Sequence, residues 1–257
     1  MGILDVIRKP AEEPKPEKIL VIDIGGTKVK TLARGHTEPR KMTSGKTLTP
    51  ARLVERIRVL VKGWAYEAVS IGYPGLVGRN GPRSEPGNLG FGWVGFDFAA
   101  AFGIPVRIIN DAAMQALGSY DGGRMLFLGL GTGLGSTLIT ENVIIPLELG
   151  QLPYEDSTLG SILGRRGLDK IGKDRWRTVV TEAVASLTAA FVVDYVVIGG
   201  GNAKKVKTLP AGARKGHNLT AFRGGLRLWN LDAVPTQEPE GDNHHAAAAP
   251  PAEWRVI

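Results

Sequence analysis

The chain has 257 residues, 43% apolar and 22% charged, with a formal net charge of +7. That length supplies a sizeable core and fits one large domain or two small lobes, which excludes a short peptide-like binder. With no cysteine, a disulfide scaffold, a thiol nucleophile and a thiolate zinc site are excluded as well. No apolar run reaches the roughly 20 residues of a membrane span and no signal-peptide core opens the chain, so the expected location is cytoplasmic with no membrane partner. The basic excess calls for an anion, and charge alone leaves nucleic acid, an acidic membrane surface, a nucleotide and a phosphate polymer all open.

In chain order, residues 1–18 are rich in Pro, Glu and Lys and read as a disordered leader. The fold is expected to begin with a buried strand at 19–24, closed by Gly25-Gly26 and answered by a return strand at 29–33, which puts the glycines at a hairpin tip. Thr49 before Pro50 gives an N-cap and a proline at the first helical position, and Leu53, Val54, Ile57, Leu60 and Val61 make one apolar stripe. Short buried strands follow at 69–72 and 106–109. The long Gly- and Pro-rich segment between them is of a kind that is functional or disordered. The opening pattern then recurs: a strand at 125–130, a glycine turn at 131–135 and a return strand at 136–140. A helix from about 175 to 191, a strand at 195–198 ending in Gly199-Gly200-Gly201 and a helix from near Ala203 complete the pattern. Residues beyond about 231, including His244 and His245, read as a disordered tail. Strand–helix alternation argues an α/β fold, and the two glycine hairpins suggest two related lobes facing each other.

Three places carry chemistry. In Asp23-Ile24-Gly25-Gly26-Thr27-Lys28, turn amides can approach phosphate oxygens and a carboxylate can hold Mg²⁺ through water. The spacing is not that of a Walker A loop, because Lys28 opens a strand. Gly131-Thr132-Gly133-Leu134-Gly135-Ser136 is a second such loop, and its alternating glycines differ from the dinucleotide fingerprint. Either loop alone is equally a plain turn; two of them plus Gly199 to Gly201, each after a buried strand, are hard to explain as accidents. Asn110-Asp111 joins a strand to a helix, where Asp111 is either an ordinary N-cap or a general base that takes a hydroxyl proton during phosphoryl transfer.

DIGGTK at 23–28, GYPGLV at 72–77, Asn110-Asp111, the GTGLG loop, Glu148-Leu149-Gly150 and the triple glycine occur in an order that resembles the ROK family of sugar kinases, over roughly residues 19–229. The ending YVVIGGGNAKKVKTLP with AFRGGLRLW, and Gly164-Arg165-Arg166, is similar to its polyphosphate glucokinase branch. The resemblance implies an actin-like ATPase fold of two RNase H-like lobes, 19–110 and 111–230, with the site in the cleft between them. It implies Mg²⁺-dependent phosphoryl transfer from polyphosphate, ATP or GTP to the 6-hydroxyl of glucose or a related hexose, by a homodimer. Carried over by position, Asp111 is the general base. Asn88, Asn110, Glu148 and Gln151 bind sugar, and Asp23 lies near Mg²⁺ and the phosphates. Gly25, Gly26, Thr27, Lys28, Gly131, Thr132, Gly133, Gly200 and Lys204 hold the donor. Gln151 stands where many members have histidine, and it can still serve a sugar hydroxyl. The family's cysteine-rich zinc motif is missing, so no zinc is expected.

Between 195 and 231 there is no acid, while Lys204, Lys205, Lys207, Arg214, Lys215, Arg223 and Arg227 all occur; a second basic run spans Arg165 to Arg177. Such runs are either solvated faces or a track for a polyanion, and their place after the donor-side glycines favours polyphosphate. Four other readings compete. A hexokinase of this family using ATP on another sugar shares every motif, and a kinase that binds sugar without turnover is favoured only by Gln151. A sugar-responsive regulator needs a helix-turn-helix that an 18-residue Pro-rich leader does not supply. A nucleic-acid module leaves the carboxylates of Asp23, Asp111 and Glu148 unexplained, so no nucleic acid is expected.

Overall fold

The computed structural model describes residues 16–217, 219–230 and 254–257. Most of the expected leader and tail, His244 and His245 among them, lies outside the described residues. The first strand, β1 (Ile19–Ile24), is buried throughout, and β2 (Lys28–Ala33) pairs with it antiparallel in a register that sets Asp23 opposite Lys30. After β3 (Arg40–Thr43), helix α1 (Pro50–Leu60) starts as its sequence dictates: the Thr49 side chain accepts from the Arg52 N–H, and Pro50 fills a first-turn position that needs no donor. Strand β4 (Ala68–Tyr73) runs parallel to β1. The long segment after it is ordered, with a hairpin of β5 (Val77–Gly78) and β6 (Gly81–Pro82) and a short helix α2 (Phe98–Phe102) capped by Asp97. Strand β7 (Val106–Asn110) then completes a five-stranded sheet in the order β3-β2-β1-β4-β7.

Helix α3 (Asp111–Ser119) leads to a second meander, β8 (Arg124–Leu130), β9 (Leu134–Thr140) and β10 (Val143–Leu147). A 3-10 turn over Leu149–Gln151 and a hairpin of β11 (Pro153–Tyr154) and β12 (Ser157–Thr158) follow. Three helices come next, α4 (Leu159–Leu163), α5 (Arg165–Ile171) and α6 (Lys173–Phe191), the last starting two residues earlier than its apolar period indicates. The chain continues through β13 (Tyr195–Gly199), β14 (Ala213–Lys215), α7 (Thr220–Arg227) and β15 (Arg255–Val256). The second sheet has the order β14-β13-β8-β9-β10-β15. Leaving β15 aside, each sheet is the same object: an antiparallel three-strand meander whose first strand is extended by two parallel strands.

Two expectations need correction. No α-helix starts near Ala203; Ala203–Lys205 is a single 3-10 turn. Ala203 and Val206 are buried there and Leu209 partly so, a short apolar contact, and Pro210 stops a helix from propagating. The end of the tail is also ordered, since β15 pairs parallel with β10 and Trp254 sets its ring edge-on to Tyr120 at 5.6 Å.

The core comes in three clusters that make five layers. Leu20, Ile22 and Ile24 face α1 and α2 on one outside, and Leu126, Leu128 and Leu130 face α4 to α6 on the other. The opposite faces of both sheets, through Ile19, Val21, Met125 and Phe127, close on a shared middle layer of α3 and α7. Period-two alternation along β1 therefore turns Asp23 toward the middle layer, the side on which Ile19 and Val21 lie.

Candidate active site

Glycines in both sheets let the start of α3 reach the bottom of the cleft. A Cβ at Gly72 on β4 would sit 3.5 Å from the Asp111 Cα and 2.4 Å from the Met114 methyl, and one at Gly135 on β9 would sit 2.8 Å from the Ala112 Cβ. Asp111 is not the N-cap. Asn110 caps, its Oδ1 accepting from the Ala112 and Ala113 amides at 3.0 and 3.1 Å, so Asp111 takes the first helical position with its carboxylate directed by the Ala112 N–H at 2.8 Å. The helix N-terminus favours the anion, yet its surroundings do not. Burial, and after it the Asp23 carboxylate, push the Asp111 carboxyl up to about 7, with a smaller push from Glu148. Burial raises Asp23 as well, opposed by the Lys30 ammonium 3.6 Å away across the β1–β2 ladder. The Asp111 carboxyl thus feels two other expected carboxylates and is poised between its two protonation states near neutral pH.

Both glycine turns flank this acid group. The β1–β2 turn is closed by the Gly25 N–H on the Lys28 carbonyl at 3.0 Å, leaving Gly26, Thr27 and Lys28 exposed. Asn88 arrives from the Gly- and Pro-rich segment, its Nδ2 within 3.2 Å of where a Gly26 Cβ would be. Its loop is pinned by buried Leu89 and Trp93 and by the Glu85 carboxylate, which accepts from the Trp93 and Val94 amides. The β8–β9 turn is closed by the Gly131 N–H on the Gly133 carbonyl at 3.1 Å. Gly200 adopts φ +83 and passes so near that a Cβ would lie 2.5 Å from the Leu130 carbonyl oxygen, so glycine is required there twice over. Two residues that were given no role of their own complete the set. The Ser136 hydroxyl, buried, donates to the Leu147 carbonyl and accepts from the Leu149 N–H, fixing the backbone on both sides of Glu148. Asn202, also buried, donates from Nδ2 to the Gly131 carbonyl at 2.9 Å. A polar residue just after a glycine turn is the one sequence signal for Asn202, and it is weak.

The sequence profile of the ROK family matches residues 19–147, half of the chain. The chain belongs to the ROK family. Among its relatives, a polyphosphate glucokinase of Mycobacterium tuberculosis is 25% identical over 209 residues, covering 72% of this chain and 77% of that one. A fructokinase of Pediococcus pentosaceus is 26% identical over 227 residues, covering 70% and 78%. The crystal structure of the inorganic polyphosphate/ATP-glucomannokinase of Arthrobacter sp. strain KM superposes with a TM-score of 0.69 at 22% identity, covering 81% of this chain and 96% of that one. This ROK chain has the actin-like ATPase fold, whose two RNase H-like halves are the two repeated sheets.

Other expected site residues of this ROK chain are placed less simply. The Asn110 side chain is occupied by the cap and by donating to the Gly75 carbonyl at 3.1 Å, so it orients α3. Glu148 and Gln151 are exposed at either end of the 3-10 turn. The basic run divides. Arg214 and Arg223 reach Asp121 at 3.7 and 3.9 Å, and Arg227 donates to the Leu117 and Tyr120 carbonyls, all at the far end of α3 from Asp111. Arg177 is paired with Asp174 and donates to the Lys205 carbonyl. That leaves Lys204, Lys205 and Lys207 just beyond the triple glycine and Lys215 opposite Ile198 on β14, with Lys204, Lys207 and Lys215 exposed. A cavity of about 860 Å³ lies elsewhere, along the outer edge of β7; its walls include Asn230 and Trp254, which flank the undescribed residues 231–253, and none of Asp23, Asp111 or Glu148. Among the described residues no group of three His, Asp or Glu side chains is disposed to hold a metal, and no helix is long and apolar enough to cross a membrane.

Proposed function

We propose that the chain transfers a terminal phosphoryl group from inorganic polyphosphate or a nucleoside triphosphate to the 6-hydroxyl of glucose or a related hexose. The observation that carries this reading is Asp111: a carboxylate at the head of a helix, between two glycine turns, with its carboxyl pushed up to about 7. That value suits a base that removes a hydroxyl proton as the oxygen attacks phosphorus. Glu148, exposed and held by Ser136, is assigned to the sugar hydroxyls with Asn88 and Gln151. The turns at residues 25–28 and 131–133, whose Gly25 and Gly131 N–H groups close them, are assigned to the donor phosphates, with Lys28, Gly200 and Lys204 beside them. Mg²⁺ fits the donor set, because Asp23 is a buried carboxylate that a hard cation would relieve, and phosphate oxygens would supply its remaining ligands. When bound, the ion neutralises charge on the transferred group. We assign the two lobes to 19–110 and 111–230 and the assembly to a homodimer, which light-scattering mass tests.

The relatives' names support this reading, two specifying polyphosphate with a hexose and one fructose. The deciding experiment is glucose 6-phosphate formation with Mg²⁺ at fixed ionic strength, comparing long-chain polyphosphate, ATP and GTP, with Asp111→Asn as the blank. Product from any of the three donors supports a kinase, and no product across a hexose panel overturns it. Of the two donor classes, the lysines beside the triple glycine favour the polymer. Replacing Lys204, Lys205 and Lys207 together by alanine is expected to weaken long-chain polyphosphate more than ATP, with the gap widening at low salt. Equal losses for both donors, measured as KM at two salt concentrations, remove the polymer track.

A further inference from the structure

The Gly131 carbonyl is held by two donors, the Asn202 side-chain amide at 2.9 Å and the Arg165 backbone N–H at 3.0 Å. A carbonyl only accepts, so it is the Asn202 nitrogen that faces it. The Asn202 backbone N–H adds a bond to the Leu130 carbonyl at 2.9 Å, and the side chain is 1% exposed, so its direction is fixed. Gly164 closes the same side of the turn, where a Cβ would lie 2.4 Å from the Thr132 carbonyl oxygen. The peptide joining Gly131 to Thr132 is trans, and a planar trans peptide points its C=O and its N–H in opposite directions. Two donors on the carbonyl therefore turn the Thr132 N–H to the open side of the turn, where Thr132 is exposed and this N–H meets no acceptor among the described residues.

We infer that Asn202 is a positioning residue that locks the Gly131–Thr132 peptide with its N–H toward the donor phosphates. Reversal of that peptide would present carbonyl lone pairs to a phosphate, so the lock turns a repulsive group into a binding one. The inference rests on the assignment of this turn to the phosphoryl donor.

The test is calorimetric titration of the full chain with tripolyphosphate in Mg²⁺ buffer, well below the thermal midpoint, for the wild type, Asn202→Asp and Asn202→Val. Aspartate keeps the shape, loses the donor hydrogens and adds a negative charge; valine, neutral and of similar size, loses the donor without the charge and so decides the matter, also where Asn202→Asp does not fold. Expected is a loss of about tenfold in affinity, the scale of one hydrogen bond to a backbone carbonyl, with unchanged stoichiometry. In turnover, the donor KM rises while the hexose KM does not. A purely structural role lowers stoichiometry and leaves the dissociation constant alone, which overturns the lock; so does wild-type affinity in a variant of full stoichiometry. No binding by the wild type overturns the donor assignment of the turn and the lock with it, so the two failures are told apart.

Discussion

Asp111→Asn is expected to cut kcat by roughly 10²-fold or more, the usual contribution of a general base, while leaving the hexose KM nearly unchanged because the amide still hydrogen-bonds a hydroxyl. Below about pH 7 the wild-type kcat/KM should fall about tenfold per unit, since the base is then protonated in the free enzyme, and the Asn variant should lack that limb. Stability must move the opposite way. The unfolded carboxyl titrates near 3.9 and the folded one near 7, so the native state holds the proton longer and the group's contribution to stability is lost as pH rises through that window. Asparagine is neutral throughout. The thermal midpoint of Asp111→Asn relative to wild type should therefore climb between about pH 4 and pH 7 and level off above. Turnover that survives the substitution removes Asp111 from the chemistry; a midpoint difference independent of pH removes the raised carboxyl.

The residues that could be read in the sequence are those whose signal is local. Thr49-Pro50, the apolar runs of β1 and β8 and the glycines at both hairpin tips declare themselves within a few residues, and the two-fold recurrence of strand, glycine turn and strand is the duplicated sheet seen in outline. What escaped depends on partners far away in sequence. Asn110 and Asp111 are adjacent and both can cap a helix, and only the Gly75 carbonyl, 35 residues upstream, settles that Asn110 does so and leaves the Asp111 carboxylate to the cleft. Gly72 and Gly135 read as parts of motifs, but their work is to admit α3 between two sheets. The basic run at 204–227 looks uniform as a string. In space Asp121 and the end of α3 take its arginines, while Lys204, Lys205 and Lys207 follow the triple glycine and Lys215 lies opposite Ile198. The order of β15 rests on its pairing with β10, more than a hundred residues away, which no local pattern announces.

Gly224→Ala is expected to destabilise the protein by about 3 kcal/mol, the upper range for overpacking, which lowers the thermal midpoint by about 10 °C for a chain of this size. Gly118 and Gly224 are the contact at which α3 and α7 cross. A Cβ at Gly224 would lie 1.8 Å from the Met114 carbonyl oxygen, and one at Gly118 would lie 1.7 Å from that of Thr220. Both obstacles are backbone, so no rotamer change clears them. Nor can α7 back away. On its other side Gly225 sits against the Val21 side chain, the Ser70 hydroxyl donates to the Gly225 carbonyl at 2.6 Å, and the Trp229 indole donates to Ser70 at 2.9 Å, tying α7 to the first sheet. The strain must instead pass into α3, whose first residue is Asp111. A displacement of a few tenths of an ångström there costs turnover in molecules that remain folded. The variant should accordingly lose more kcat at 15 °C than its folded fraction accounts for. Gly87→Ala, placed where a Cβ meets nothing within 4 Å, is the control and should stay within about 0.5 kcal/mol of wild type. A Gly224→Ala protein with an unaltered midpoint would mean that the two helices cross less tightly than these distances require, and the route from α7 to the Asp111 carboxylate would fall with it.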